Sequence, residues 1–387
     1  MRSIKLRTSK RILGGHLWVF SNEVASSLKG YEKGELVEVY DKKGGFLGIG
    51  YINPESLIAI RLLSRRKVNI DKEFFKRRIT EALRYRMLVY PEEKNFRVVF
   101  SDSDLLPGLI VDKFGSTLVV QILTAGMDRL RNLIFKALDE VLEPETIVAK
   151  NDSSFRAMEG LKQECLIIKG SLDKQPVVNE GGFSFEIDVL GGQKTGYFLD
   201  QRENRLAFAS LVRGGIGVDL FSYVGAWGIQ LASKADRVIC VDSSDDAVRL
   251  IKRNAELNNL SHKIDALCED AFEFLNRARD NKKRFDFIVV DPPAFVKSRA
   301  SLSRAISGYK ALNANAMVVL KKGGLMATSS CSYHISTEDF LDIIRYAARV
   351  TNRYVRIIEY RSQAKDHPFL VSMPETRYLK CAILQVF

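Results

Sequence analysis

The segment ELVEVYDKKGGFLGIGYINP, from Gly34 onward, alternates apolar and polar residues. It breaks at Gly44-Gly45 and then alternates again, which predicts a β-hairpin. IAIRLLS (58–64) adds a further strand, and this β-rich segment ends near residue 68. The period then changes. In DKEFFKRRITEALRYRMLVY (71–90), Phe74, Ile79, Leu83 and Met87 recur at helical spacing among basic residues, so a helix with a basic face is expected. FRVVFSDSD, LIVDKF and TLVVQIL follow as strands, separated by the turn formers Asp104, Pro107-Gly108 and Gly115. MDRLRNLIFKALDEVL (127–142) carries one apolar helical face. ETIVAKND adds a strand and CLIIKG (165–170) another, so this block reads β-β-β-α-β with one more strand.

From about residue 184 the texture changes again. FSFEIDVL and GGQKTGYFLD suggest a hairpin leading into the last segment. Strands and helices then alternate: GIGVDLF (215–221), a helix around 225–234, RVICVD (237–242), a helix from 244 to about 258, and IDALCED (264–270). Another helix precedes FDFIVVD (285–291), and GGLMATSS (323–330) closes the series. Near-continuous apolar strands alternating with helices imply an α/β fold with a parallel, doubly wound sheet. Three domains are therefore expected, over residues 1–68, 69–180 and 181–387.

Composition narrows the setting. No apolar run reaches the roughly 18–20 residues that span a bilayer, and the basic N-terminus is not followed by a signal-peptide core. The five cysteines (165, 240, 268, 331 and 381) are scattered and never form a C-x-x-C pair. That argues against a disulfide framework and against structural zinc. No membrane, no metal and a reducing, cytoplasmic location are the expectations. Charge is uneven: residues 1–90 hold 19 Lys+Arg against 9 Asp+Glu, while the rest of the chain is nearly balanced. A basic excess confined to one end suits a polyanion such as RNA, against the plainer reading of a solvated surface.

In doubly wound sheets, ligands lie at the carboxyl ends of the strands. Asp219, Asp242, Asp270 and Asp291 occupy those ends. Asp242, 23 residues after Asp219, is placed to accept ribose hydroxyls, or else to cap the helix that begins at SSDDAVRLIKRN. Asp270 has the same two readings, adenine contact or helix cap. The first loop reads DLFSYVGAWG, without the glycines that let a backbone approach a pyrophosphate. Phe221 and Tyr223 would crowd such a phosphate. An adenosyl ligand without phosphates, S-adenosylmethionine, fits better than NAD.

DPPAF (291–295) ends a strand with two prolines that force the chain outward as a rigid lip. Asp291 there can accept from an exocyclic amine, and Phe295 can stack on a base; mere strand termination is the plainer alternative. ATSSCSYHIS (327–336) places Cys331 where the next strand ends, either as a packing residue or as a nucleophile. Cys165, Cys240, Cys268 and Cys381 sit in apolar strand patterns and are expected to pack. His367, in KDHP, is either a pocket residue or a turn histidine.

DLFSYVGAWG, VDSS with RNAELN, DPPAF and SSCS, in this order, resemble bacterial RNA cytosine-5 methyltransferases of the 23S rRNA methyltransferase I family. So do GGQKTGYFLDQRENR (191–205) and AKDHP…PETRYLK (364–380), and the resemblance spans essentially the whole chain. It implies an N-terminal RNA-binding PUA β-barrel, a small α+β connector of β-β-α-β-β type, and a C-terminal seven-stranded Rossmann-like class I methyltransferase domain. It implies that Lys194, Thr195, Gly196, Asp200, Gln201 and Arg202 border the methionine end of the cofactor. Asp219, Phe221, Ser222, Tyr223 and Gly225 would form the cofactor loop, with Asp242 and Ser243 at the ribose and Asp270 at the adenine. Asp291, Pro292 and Pro293 would meet both cofactor and base, Phe295 and His367 the substrate, and Cys331 would be the nucleophile. The resemblance further implies 23S rRNA as substrate and rRNA processing as the process served; self-association as a homodimer is left open. Some RNA cytosine-5 methyltransferases carry a second cysteine beside the prolines, where this chain has Ala294. The competing readings are methylation of guanine N7 or an exocyclic amine, and a non-catalytic RNA-binding or ribosome-assembly protein. A dehydrogenase comes third.

Overall fold

A computed structural model describes residues 1–295 and 302–387. The chain divides into two compact units. One comprises Met1–Pro176, Asp188–Tyr197 and Lys365–Thr376; the other comprises Val177–Ile187, Phe198–Ala364 and Arg377–Phe387.

The first unit contains two five-stranded sheets. In one, the strands lie in the spatial order Arg2–Lys5, Glu35–Tyr40, Phe46–Ile52, Ile60–Ser64 and Trp18–Val19. The hairpin forms where alternation placed it, with Glu35 opposite Ile52 and a bulge between Val39 and Tyr40. The other sheet runs Glu164–Lys169, Thr146–Asn151, Thr117–Ile122, Leu109–Phe114 and Asn95–Phe100. Its one parallel pair joins Thr117–Ile122 to Thr146–Asn151, as the helix Arg131–Leu142 between them requires. The order along the chain is β-β-β-α-β-β, one strand more than the connector plan implied by resemblance. Tyr51 joins the two sheets: its hydroxyl donates to the Pro107 carbonyl at 2.6 Å. A Cβ on Gly126 would lie 1.9 Å from the Tyr51 ring, so only glycine lets that ring in.

The helix Lys72–Val89 begins at Asp71, whose side chain accepts from the Phe74 amide at 2.9 Å. Its buried face is Phe74, Phe75, Ile79, Ala82 and Arg86, whereas Met87 is exposed. The face expected from periodicity is therefore rotated, and an arginine takes the inner place of Met87. The Arg86 guanidinium is held by both oxygens of Asp104 and by the carbonyls of Arg97 and Asp366, which satisfies its buried charge.

The second unit opens with a hairpin, Val177–Glu180 paired to Phe183–Glu186. Both arms lie earlier than the sequence pattern suggested. The unit is built on seven strands: β1 (Ile216–Leu220), β2 (Arg237–Asp242), β3 (Ile264–Cys268), β4 (Phe285–Val290), β5 (Leu320–Ser330), β6 (Val355–Arg361) and β7 (Lys380–Val386). Their order is β3-β2-β1-β4-β5-β7-β6. The first five are mutually parallel, and β7 runs antiparallel to both β5 and β6. The series thus extends past GGLMATSS and is not wholly parallel. The helices are α1 (Arg202–Ala209), α2 (Ala226–Ala232), α3 (Asp245–Leu257), α4 (Ala271–Asp280), α5 (Leu302–Val318) and α6 (Thr337–Val350). On one side of the sheet, Val218, Leu220, Ile288, Val290 and Met326 pack with Phe274, Leu312, Phe340 and Ile343. On the other, Val238, Phe287, Val289 and Ile383 pack with Phe208, Trp227 and Leu231. The strand order reverses between β1 and β4, so the crevice opens at the carboxyl ends of those strands.

Candidate active site

Strand β1 delivers Asp219 to the crevice. The residue is fully buried; Oδ2 accepts from the Gly228 amide at 2.9 Å, while Oδ1 makes no hydrogen bond among the described residues. Burial, aided by the charges of Asp291 and Asp242, pushes Asp219 up to about 8.

The loop after β1 is strained and tied down. Phe221 and Tyr223 adopt φ of 62° and 51°, and Gly225 one of 79°; the first two conformations are costly for residues with a Cβ. Three hydrogen bonds offset that cost. The Ser222 amide donates to the Val241 carbonyl at 3.1 Å, Ser222 Oγ to the Asp219 carbonyl at 2.6 Å, and the Tyr223 amide to Asp242 at 2.9 Å. Asn254, buried in α3, donates to the Val224 carbonyl and to Glu186, and so ties this loop to the hairpin. The RNAELN motif contains that asparagine, though residue typing alone did not single it out.

Asp242 does not cap α3. Ser244 does so, accepting from the Ala247 amide. Asp242 instead accepts from the amides of Tyr223 and Ser244, and Ser243 beside it is exposed. Asp270 is exposed and does cap α4, accepting from the Phe272 and Glu273 amides at 2.8 and 3.2 Å.

Asp291 follows β4 and is held by two neutral donors: Gln201 Nε2 to Oδ1 at 2.8 Å and Trp227 Nε1 to Oδ2 at 3.0 Å. Gln201 is oriented by Asn204, which donates to its amide oxygen at 2.6 Å, and Arg361 in turn donates to Asn204. Burial raises the Asp291 carboxyl to about 6, with the charge of Asp200 acting in the same direction. Asp200 accepts from the Tyr378 hydroxyl. The Arg202 guanidinium lies 3.5 Å from Glu180, which also receives two hydrogen bonds from Arg205 and one from Gln230. Pro292 is buried and Pro293 exposed. Phe295 is half-buried, its ring 4.7 Å from that of Tyr309 in α5, so one side already has an aromatic partner.

Cys331 is half-buried and directly follows β5. Val290 is in register with Thr328, so Asp291 and Cys331 leave adjacent parallel strands, Cys331 two positions further out. Tyr309, in hydrogen-bond contact with Ser332 at 3.2 Å, is raised to about 12 by burial and by its proximity to Cys331. Lys380, at the start of β7, directs its ammonium to the carbonyls of Ser332, Ile335 and Tyr378 at 2.7–2.8 Å. Sequence reading passed over Trp227, Tyr309 and Lys380. A single lysine inside the apolar run YLKCAILQVF was the available signal.

Lys194, Thr195, Gly196 and His367 belong to the first unit. Thr195 is buried and donates to Asp112 at 2.6 Å, and Lys194 and Gly196 have φ of 51° and 106°. His367 is buried beside Asp366, 2.8 Å from Nδ1, and against the Phe100 ring. Of the other cysteines, Cys240 and Cys381 are buried, as expected. Cys165 and Cys268 are exposed, because each lies in an edge strand of its sheet.

The second unit therefore gathers carboxylates at its strand ends, one of them with a buried, unshared acceptor oxygen. A cationic ligand relieves that burden and a pyrophosphate would add to it. S-adenosylmethionine, with a sulfonium and an α-ammonium, is a ligand of that charge, and Asp219, Asp242 and Asp291 are the residues that could hold it.

Comparison with known proteins agrees. A PUA-like domain family matches residues 3–65, and a family described as conserved hypothetical protein 95 matches residues 204–335. A ribosomal RNA large subunit methyltransferase I from Pseudoalteromonas atlantica is 35% identical over 97% of this chain and 97% of its own. Its counterpart from Alteromonas mediterranea is 36% identical over 96% and 95%. A Streptococcus mutans structure assigned as a SAM-dependent methyltransferase covers the full length of both chains, with a TM-score of 0.86 at 20% identity, and so shares the fold. With identity at this level across nearly its whole length, the chain belongs to the ribosomal RNA large subunit methyltransferase I family.

Proposed function

We propose that the protein is an S-adenosylmethionine-dependent methyltransferase of large-subunit ribosomal RNA that methylates C5 of a cytosine through a covalent bond from Cys331 to C6. The observation that carries this reading is that Asp291 and Cys331 leave adjacent parallel strands at their carboxyl ends, Cys331 two positions further out. The relatives' names supply the RNA class. The PUA-like segment and the basic excess in residues 1–90 supply a polyanion-binding surface.

Cytosine C5 is a weak nucleophile. Addition of the Cys331 thiolate to C6 forms an S–C bond and moves electron density onto C5, which can then accept a methyl group. Asp291 accepts a hydrogen bond from the base N4 amine, or, when protonated, donates one to N3, and either contact favours addition at C6. A base then takes the C5 proton, the C5–H electron pair re-forms the C5–C6 double bond, and sulfur leaves C6 as the Cys331 thiolate. S-adenosylmethionine, when bound, contributes an activated methyl on a sulfonium. The target base must leave its stack to reach a crevice of this kind.

The test is nucleoside mass spectrometry of 23S rRNA from cells with and without the gene, complemented by wild type or Cys331→Ala. The expected result is a 5-methylcytidine present with wild type and lost, by on the order of a thousandfold in rate, with the alanine variant. A Cys331→Ala protein that still methylates rRNA would sink the covalent mechanism and favour transfer to a base nitrogen.

A further inference from the structure

Lys380 stands out among the groups that the mechanism above does not use. It is a buried lysine with no carboxylate as hydrogen-bond partner among the described residues. Its ammonium is directed at three backbone carbonyls, those of Ser332, Ile335 and Tyr378. Three acceptors use all three hydrogens of an ammonium, whereas a neutral amine has only two to give. Two of the carbonyls belong to the turn that begins one residue after Cys331, and Lys380 itself is in register with Ser330 at the end of β5. One side chain therefore both fixes the turn carrying the cysteine and places a positive charge against it.

We propose that Lys380 is a positioning residue that holds the 331–335 turn and stabilises the Cys331 thiolate by its fixed charge. The proposal rests on the reading of Cys331 as nucleophile. The thiol gives its proton to solvent, and Lys380 keeps all three of its own. Burial pushes Lys380 down to about 8, while Cys331 counteracts that shift, so the two groups sense each other electrostatically. Among the described residues, the charges of Asp339 from α6 and Arg377 from the segment before β7 also act on Lys380. Tyr309 from α5 faces Cys331. Arg377 adds positive charge to the same neighbourhood and Asp339 subtracts from it. An ammonium near a thiolate in a partly dehydrated site lowers the thiol's pKa, as positive neighbours do for reactive cysteines generally.

The experiment is the pH dependence of iodoacetamide alkylation in the full-length protein, quantified cysteine by cysteine by peptide mass spectrometry. Wild type, Lys380→Arg and Lys380→Gln are compared. In wild type the midpoint for Cys331 is expected below the roughly 8.5 of a free thiol. Lys380→Arg should preserve it. Lys380→Gln, which keeps hydrogen-bond donors but not charge, should raise it by about one pH unit, lowering the Cys331 rate near pH 7 about tenfold. Exposed Cys165 and Cys268 should be unchanged, and continued protection of Cys240 and Cys381 reports an intact fold. A Lys380→Gln midpoint equal to wild type overturns the proposal. So does a wild-type midpoint at or above 8.5, which needs no variant at all and so is immune to misfolding. Failure of the parent reading looks different: Cys331→Ala would still methylate RNA while the thiol's dependence on Lys380 remained.

Discussion

In the first unit, Arg86 and Arg97 are buried against Asp104 and Asp112, each pair joined by two parallel hydrogen bonds. In the second, Asp219 is buried and Asp291 half-buried against an amide, an indole and a carboxamide, with no cation hydrogen-bonded to either among the described residues. Both units put charge where water is scarce, but these two arginine pairs neutralise it and the strand-end carboxylates do not. The second unit can do the same, and does so around Glu180, with Arg205 and Arg202. At the strand ends it does not, and Asp219 and Asp291 are raised to about 8 and about 6 as a result. A carboxylate left under such pressure gains by meeting a positively charged ligand. Closed pairs hold a scaffold; open ones prepare a site.

The largest expected effect comes from breaking a closed pair. Arg86→Met leaves Asp104 buried without its cation and frees the carbonyls of Arg97 and Asp366, which should cost about 3–5 kcal/mol. Urea denaturation followed by fluorescence measures it, and a companion Arg86→Met/Asp104→Leu protein should recover much of the loss. A loss under about 1 kcal/mol in the single variant would mean that this pair is no stronger than a surface one, and the contrast between the units would fail.

Arg86 also shows where sequence reading stops. In RRITEALRYRML an arginine on the solvent side of a helix and one turned inward look alike, because Asp104 and Asp366 lie outside the window that periodicity samples. The same holds for Lys380, whose acceptors are backbone carbonyls and leave no trace in residue type. What the pattern did carry was local: the hairpin across Gly44-Gly45 and the apolar strands ending at Asp219, Asp242 and Asp291. Strand ends could be placed because burial on both faces leaves a continuous apolar run that stops abruptly. Asp242 and Asp270 both preceded helices, yet only Asp270 caps one. The choice turned on Ser244, one residue before α3, which competes successfully for the helix amides.

A subtler test separates the two kinds of buried carboxylate by pH. Asp219 is raised from the usual carboxylate range to about 8, so between about pH 4 and 8 the folded protein holds a proton that the unfolded chain has released. The sign follows: this contribution to stability is complete below about pH 4 and is lost as pH rises through 8. Asp219→Asn removes the titration while keeping an acceptor for the Gly228 amide. Differential scanning fluorimetry without cofactor should show the variant gaining in melting temperature over wild type as pH goes from 5 to 8. Equal pH slopes for the two proteins would show that Asp219 ionises freely and carries no such pressure.

The smallest effect concerns how Asp291 is held. Trp227 Nε1 donates to one of its oxygens and lowers a carboxyl that burial raises. Trp227→Phe keeps an aromatic ring against Phe208 and removes only that donor. Asp291 should then titrate above its present value of about 6, since a hydrogen bond to the charged form is lost. If the ionised carboxylate is what grips the base, the acidic limb of the methylation rate should move to higher pH by a fraction of a unit, with the rate at pH 8.5 nearly unchanged. A limb that stays in place would assign the proton to another group. A uniform loss at every pH would mean that Trp227 serves packing, and that Gln201 alone holds Asp291 in its ionised form.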